Sequence, residues 1–85
     1  MAMSMTVQRL IVPQHERDNY LVRARERKAY YADRNCRFSV FAEADLPGAF
    51  MEFTEADDPQ TLADAHASAP TPPLDSQRIY VRVEV

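Results

Sequence analysis

The sequence contains a single glycine, Gly48, and this rules out a phosphate-cradling loop, which needs several residues whose backbone a ligand can approach closely. It contains a single cysteine, Cys36, so no disulfide closes within the chain, and the composition suits a reducing cytoplasm. No apolar run approaches the ~18 residues of a membrane span, and "MAMSMTVQRL" lacks a charged leader followed by an apolar stretch. A nucleophile elbow and zinc-ligand spacing are missing as well. The expectation is a soluble cytoplasmic protein with no metal and no cofactor.

Cations are scarce in the second half. Residues 15–37 carry seven basic and four acidic side chains, whereas residues 38–85 carry two basic and nine acidic, for a net charge of −3. Nucleic-acid binding rests on cations that neutralise phosphates, so nucleic acid is not an expected partner, and "RARERK" reads as a solvated helix face. At 85 residues the chain is one domain, 1–85. A domain this small buries only about 60% of the surface its unfolded chain exposes, so a second source of burial is expected.

"MTVQRLIV" (5–12) is β-branched and aliphatic and stops at Pro13, as a strand does. A helix follows to Arg34, free of Gly and Pro, with Glu16 and Asp18 in its first turn, Asn35 as a left-handed cap, and Tyr20, Leu21, Ala24 and Tyr31 as its buried stripe. Lys28 lies along the edge of that stripe. "CRFSVFAE" (36–43) alternates with period two, "ADLPG" turns, and "AFMEFTE" supplies an antiparallel third strand. Asp58 and Pro59 form an N-cap and first helical position, opening a short helix that ends near Ser68. After the proline-stiffened "APTPPLDS", the alternation of "QRIYVRVEV" gives a fourth strand. The order β-α-β-β-α-β defines an α+β, ferredoxin-like unit with a four-stranded antiparallel sheet.

Both helices of such a unit cover one sheet face. The alternation assigns Phe38, Val40, Met51, Phe53, Ile79, Val81 and Val83 to the covered face, and Val7 and Ile11 are placed inward with Leu10 outward. Arg37, Ser39, Phe41, Phe50, Glu52, Thr54, Tyr80, Arg82 and Glu84 fall on the open face, with Phe50 opposite Phe41. Bare aromatic residues there call for a cover, since burying each ring is worth ~1.5–3 kcal/mol.

One cover would be RNA. "GAFMEF" matches four slots of the RNA recognition motif octapeptide (Gly48, Ala49, Phe50, Phe53) but omits one aromatic, and Pro47 replaces its leading cation. "QRLIV" in the first strand supplies no second stacking ring.

A closer likeness lies in "FMEFTEADDPQTLADAHASAP", residues 50–70, which resembles the corresponding segment of the antibiotic biosynthesis monooxygenase family. Those domains carry a strand ending in an acidic-aromatic pattern, a short turn, and a helix reading approximately A-L-x-x-H. Glu52, Phe53, Asp57, Leu62 and His66 occupy comparable places. The resemblance implies a dimeric α+β barrel in which two chains pack their open sheet faces together. It implies a small organic ligand, partly aromatic, held in a cavity between sheet and helices and oxidised or rearranged without a dedicated cofactor. His66 and Glu52 would then be the catalytic candidates, and Arg37, Phe41, Phe50, Tyr80 and Arg82 would line the cavity or dimer face.

Each of these residues also has a plainer reading. Glu52 facing a dimer interior would pair with Arg37, Arg82 or a residue of a second copy. His66, on the same helix face as Leu62, would be a hydrogen-bonded core histidine. Tyr20, Tyr31 and Tyr80 would pack their rings and leave their tips wet, and Cys36 would be a small buried hydrophobe. His15 would sit at a cavity mouth. Three readings therefore stand open: a ligand-binding barrel dimer, a non-catalytic dimer with a filled interior, and an RNA-binding monomer.

Overall fold

The computed structural model describes residues 3–85. Strand β1 (Ser4–Ile11) is followed by one 3₁₀ turn and helix α1 (Arg17–Ala32), then β2 (Arg37–Ala42), β3 (Ala49–Ala56), helix α2 (Pro59–Ala67) and β4 (Tyr80–Val81). The strands form one four-stranded antiparallel sheet in the order β2-β3-β1-β4, consistent with a ferredoxin-like fold.

The boundaries have local causes. Asn35, at φ 60°, takes the left-handed conformation after α1, which asparagine tolerates better than most residues. Asp58 caps α2, accepting the Thr61 N–H at 2.8 Å, while Pro59 takes a first-turn position where its missing N–H is no loss. Gly48, at φ +88°, is required twice over: its conformation excludes side chains, and a Cβ there would sit 2.8 Å from the Val12 carbonyl oxygen. The same glycine accepts the Val12 N–H at 2.7 Å, tying the hairpin loop to the end of β1.

The core lies between the sheet and the helices. Tyr20, Ala24 and Tyr31 of α1 meet Leu62 and Ala65 of α2 over Phe38, Phe50 and Ala56 of the sheet. Tyr31 stacks on Phe38 with ring centres 5.8 Å apart, and Tyr20 lies 4.9 Å from Phe50.

The sheet corrects the face assignment made from alternation. The hairpin closes with the Glu43 N–H on the Ala49 carbonyl, so β2 and β3 run in the register Ala42↔Phe50, Phe41↔Met51 and Val40↔Glu52. This is one residue away from pairing Phe50 with Phe41, and a one-residue slip moves a whole strand to the other face. Phe50, Glu52 and Thr54 therefore point toward the helices and are buried, whereas Met51 and Phe53 lie on the open side. In β1, likewise, Ser4, Thr6, Gln8 and Leu10 share the covered face, and Val7 and Ile11 lie outside. The inward placements of Phe38 and Ile79 hold.

The fourth strand is shorter than its alternation suggests. The register Ser4↔Val81 and Met5↔Tyr80, with Arg82 N–H on the Met3 carbonyl, ends the strand pairing there, and Val83, expected on the covered face, is instead 75% exposed.

Candidate functional site

Two adjacent polar clusters occupy the covered face. In the first, Gln8 and Glu52 are register partners on β1 and β3, and α1 drops Tyr20 and Arg27 onto them from two turns apart. Tyr20 donates its hydroxyl hydrogen to Glu52 Oε2 at 2.6 Å, and Arg27 donates from Nη1 to Oε2 at 3.0 Å and from Nη2 to Oε1. Gln8 Nε2 donates to Oε1 at 3.3 Å. Gln8 Oε1 in turn accepts the Leu74 N–H at 2.7 Å, fastening the segment after α2 to the same cluster.

This is a buried, bidentate Arg–carboxylate pair, geometry in which both charges are satisfied. The Arg27 guanidinium also lies 4.7 Å over the Phe38 ring, and its Nε is the one buried side-chain nitrogen or oxygen among the described residues without a hydrogen-bond partner. Burial raises the Tyr20 hydroxyl pKa, and the hydrogen bond to Glu52 raises it further.

The second cluster centres on His66, which α2 inserts between β1 and α1. Its Nε2 lies 2.8 Å from Thr6 Oγ1 and its Nδ1 2.7 Å from the Tyr31 hydroxyl. Neutral imidazole offers one donor and one acceptor, and two hydroxyls satisfy both. Burial lowers the His66 pKa, and the nearby Arg27 cation lowers it further. Tyr31 is pushed up to about 12, first by burial.

Chemically, both candidates are occupied. Glu52 accepts from three side chains, His66 is saturated at both nitrogens, and a general base needs a free lone pair within reach of substrate. A cleft of about 200 Å³ opens nearby between α1 and residues 69–71, lined in part by Arg27 and Tyr31; neither Glu52 nor His66 lines it.

The remaining predicted residues separate from this pair. Arg37, Phe41, Tyr80 and Arg82 belong to the open side, where Phe41 meets Phe53 edge-to-face at 5.5 Å and Arg37 approaches Asp57 at 3.4 Å. Phe50 belongs to the covered side, only 3% exposed, so it cannot serve an open-face interface. The expected partners of Glu52 are likewise corrected: Arg27 takes the role given to Arg37 or Arg82, because Glu52 faces α1. The tips of Tyr20 and Tyr31 are not wet but bonded within the core. Cys36 is buried as expected, with burial raising its thiol pKa, and His15 lies exposed in the 3₁₀ turn.

Arg27 and Gln8 were the residues to find. Tyr20, Ala24, Arg27 and Tyr31 follow one another at four, three and four residues, so Arg27 lies in the buried stripe. A cation there demands an anion from the sheet, and Glu52 supplies it.

Among the described residues no group of His, Cys, Asp and Glu side chains could hold a metal ion, and no helix is long and apolar enough to cross a membrane. Comparison with known proteins gave no match to a family model, to a curated protein or to a solved structure.

Proposed function

We propose that the protein is a homodimer-forming module, in which two copies pack their open sheet faces together around an interior filled by side chains. The observation that carries this reading is the apolar open face: Phe41 and Ile11 are each 60% exposed and Tyr80 is 49% exposed, flanking the half-buried Met5, Val7, Met51 and Phe53. A contiguous apolar surface of this kind marks an interaction site. Three strands of six to eight residues, at about 3.3 Å per residue and about 4.8 Å between strands, present roughly 400 Å² in projection. Side-chain relief enlarges that area, and two such faces together reach the ~1,000 Å² that a specific interface buries. The rim carries both signs, with Arg9 bonded to Glu43 at 2.7 Å and Arg37 beside Asp57, which suits a self-complementary contact.

A non-catalytic interior is supported by the packing around Glu52 and His66. Tyr20, Arg27 and Tyr31 fill the space between sheet and helices around Glu52 and His66, leaving no room beside either for a molecule to be oxidised.

Light scattering on the wild type, Phe41→Asp and Phe50→Asp tests the proposal. The wild type should have the mass of two chains. Phe41→Asp should give a folded single chain by circular dichroism, and Phe50→Asp should unfold. A wild-type single chain at micromolar concentration overturns the proposal, and the bare Phe41–Phe53 pair then makes oligonucleotide binding the next assay.

A further inference from the structure

The cleft on the helix side has a chemistry of its own. Arg23, Glu26, Arg27 and Tyr30 recur along α1 at helical spacing and form one wall, and Ala69, Pro70 and Thr71 form the other. Tyr30 gives the cleft its half-buried ring, which the Arg34 guanidinium covers in part at 3.7 Å from the ring centre, while Tyr31, 1% exposed, lies beneath as its floor. Tyr30 donates to the Ala65 carbonyl at 2.6 Å, and the Tyr31 hydroxyl is bonded to His66. Arg27 is neutralised by Glu52. The cleft surface is therefore mostly apolar, apart from the two rim charges, Arg23 and Glu26.

Neither rim charge has a hydrogen bond or ion pair within the protein, although both lie on one helix face. Their Cβ atoms, three residues apart on a helix, are separated by about 5–6 Å. An isolated anion at this rim would be attracted by Arg23 and repelled by Glu26, and an isolated cation would meet the reverse. A molecule carrying both charges on neighbouring atoms satisfies each. The volume, about 200 Å³, is too small for a nucleotide or a drug-sized cofactor.

We propose that this cleft binds a free α-amino acid with an apolar or aromatic side chain, its carboxylate on Arg23, its ammonium on Glu26 and its side chain against Tyr30, Ala69 and Pro70. The site lies on the opposite side of the sheet from the open face, so it stands or falls independently of dimer formation.

The test is a ¹⁵N–¹H chemical-shift titration of the full chain with L-phenylalanine, N-acetyl-phenylalanine and phenylalanine amide. Saturable shifts confined to Arg23–Tyr31 and Ala69–Thr71 are expected with L-phenylalanine, with affinity reduced about tenfold when either charged group is blocked. Arg23→Gln and Glu26→Gln, exposed substitutions that leave the fold intact, should each weaken binding at least about fivefold. No saturable shift with the free amino acid overturns the proposal. So does equal binding of the blocked compounds, or unchanged affinity in both variants.

Discussion

The two faces of this sheet both mix polar and apolar residues, the covered one setting buried polar groups among Phe38, Phe50 and Ala56, the open one setting bare apolar groups among Arg9, Arg37 and Glu55. The covered face presents Ser4, Thr6, Gln8, Glu52 and Thr54 to the helices, while the open face presents Val7, Ile11, Phe41, Met51 and Phe53 to the outside. Burying these groups is tolerable where the helices bring matching ones, Tyr20 and Arg27 for Glu52, and His66 for Thr6, with Tyr31 holding the other imidazole nitrogen. The contrast teaches that the interior is specified by hydrogen bonds as much as by apolar area, and that part of the apolar area stays outside it.

The strongest way to break the contrast is Glu52→Ala. It leaves the Arg27 guanidinium, 22% exposed, without its carboxylate; removing one member of a fully buried pair costs about 3–5 kcal/mol, and partial solvation of Arg27 puts the loss at or below the low end of that range. Urea denaturation should register that loss, whereas Glu52→Leu combined with Arg27→Met should recover much of it. If the single variant is as stable as wild type, the cluster does not organise the core.

Acid should act next, through His66. Its pKa is lowered in the fold from an ordinary value of 6.5, so the unfolded chain binds the proton first. The stability it contributes is complete above about pH 6.5 and declines as the pH falls toward the lowered folded value. Unfolding measured between pH 7 and 5 should show this slope in the wild type, and His66→Gln should flatten it at a lower overall stability.

The smallest effect belongs to the other face. Val7→Thr, on the open side, should change single-chain stability by no more than about 0.5 kcal/mol while weakening self-association measured by sedimentation. A large loss of intrinsic stability would show that the open face already belongs to the core.

Much of the fold could be read from residue order. The element sequence, the Asp58–Pro59 helix start, the left-handed Asn35 and the inward Phe38 each follow from a local rule that the fold obeys. The faces of β1 and β3 could not be read in the same way, because the rule that apolar residues point inward fails where Glu52 has partners on α1 and β1, and Thr6 has one on α2. Met51 and Phe53 carry the stronger apolar signal and lie outside. The same reversal reaches the site: an outward Glu52 points to Arg37 and Arg82, whereas an inward one meets Arg27, which sits in a run that reads as a solvated helix face. The two hydroxyl partners of His66 come from α1 and β1, elements far apart in the sequence, and no local pattern announces them.

Gly48 gives this arrangement a single point of control. The six-residue span Glu43–Gly48 sets whether Met51 or Phe50 stands opposite Phe41, and the glycine's carbonyl bond to Val12 holds that choice against the end of β1. A chain that closed its hairpin one residue differently would turn Glu52 outward and Phe53 inward, putting a carboxylate on the open face where the native chain carries an aromatic ring. Substitutions at Gly48 would therefore be felt twice, since the added Cβ meets the Val12 carbonyl oxygen at 2.8 Å and a shifted hairpin would part Glu52 from Arg27.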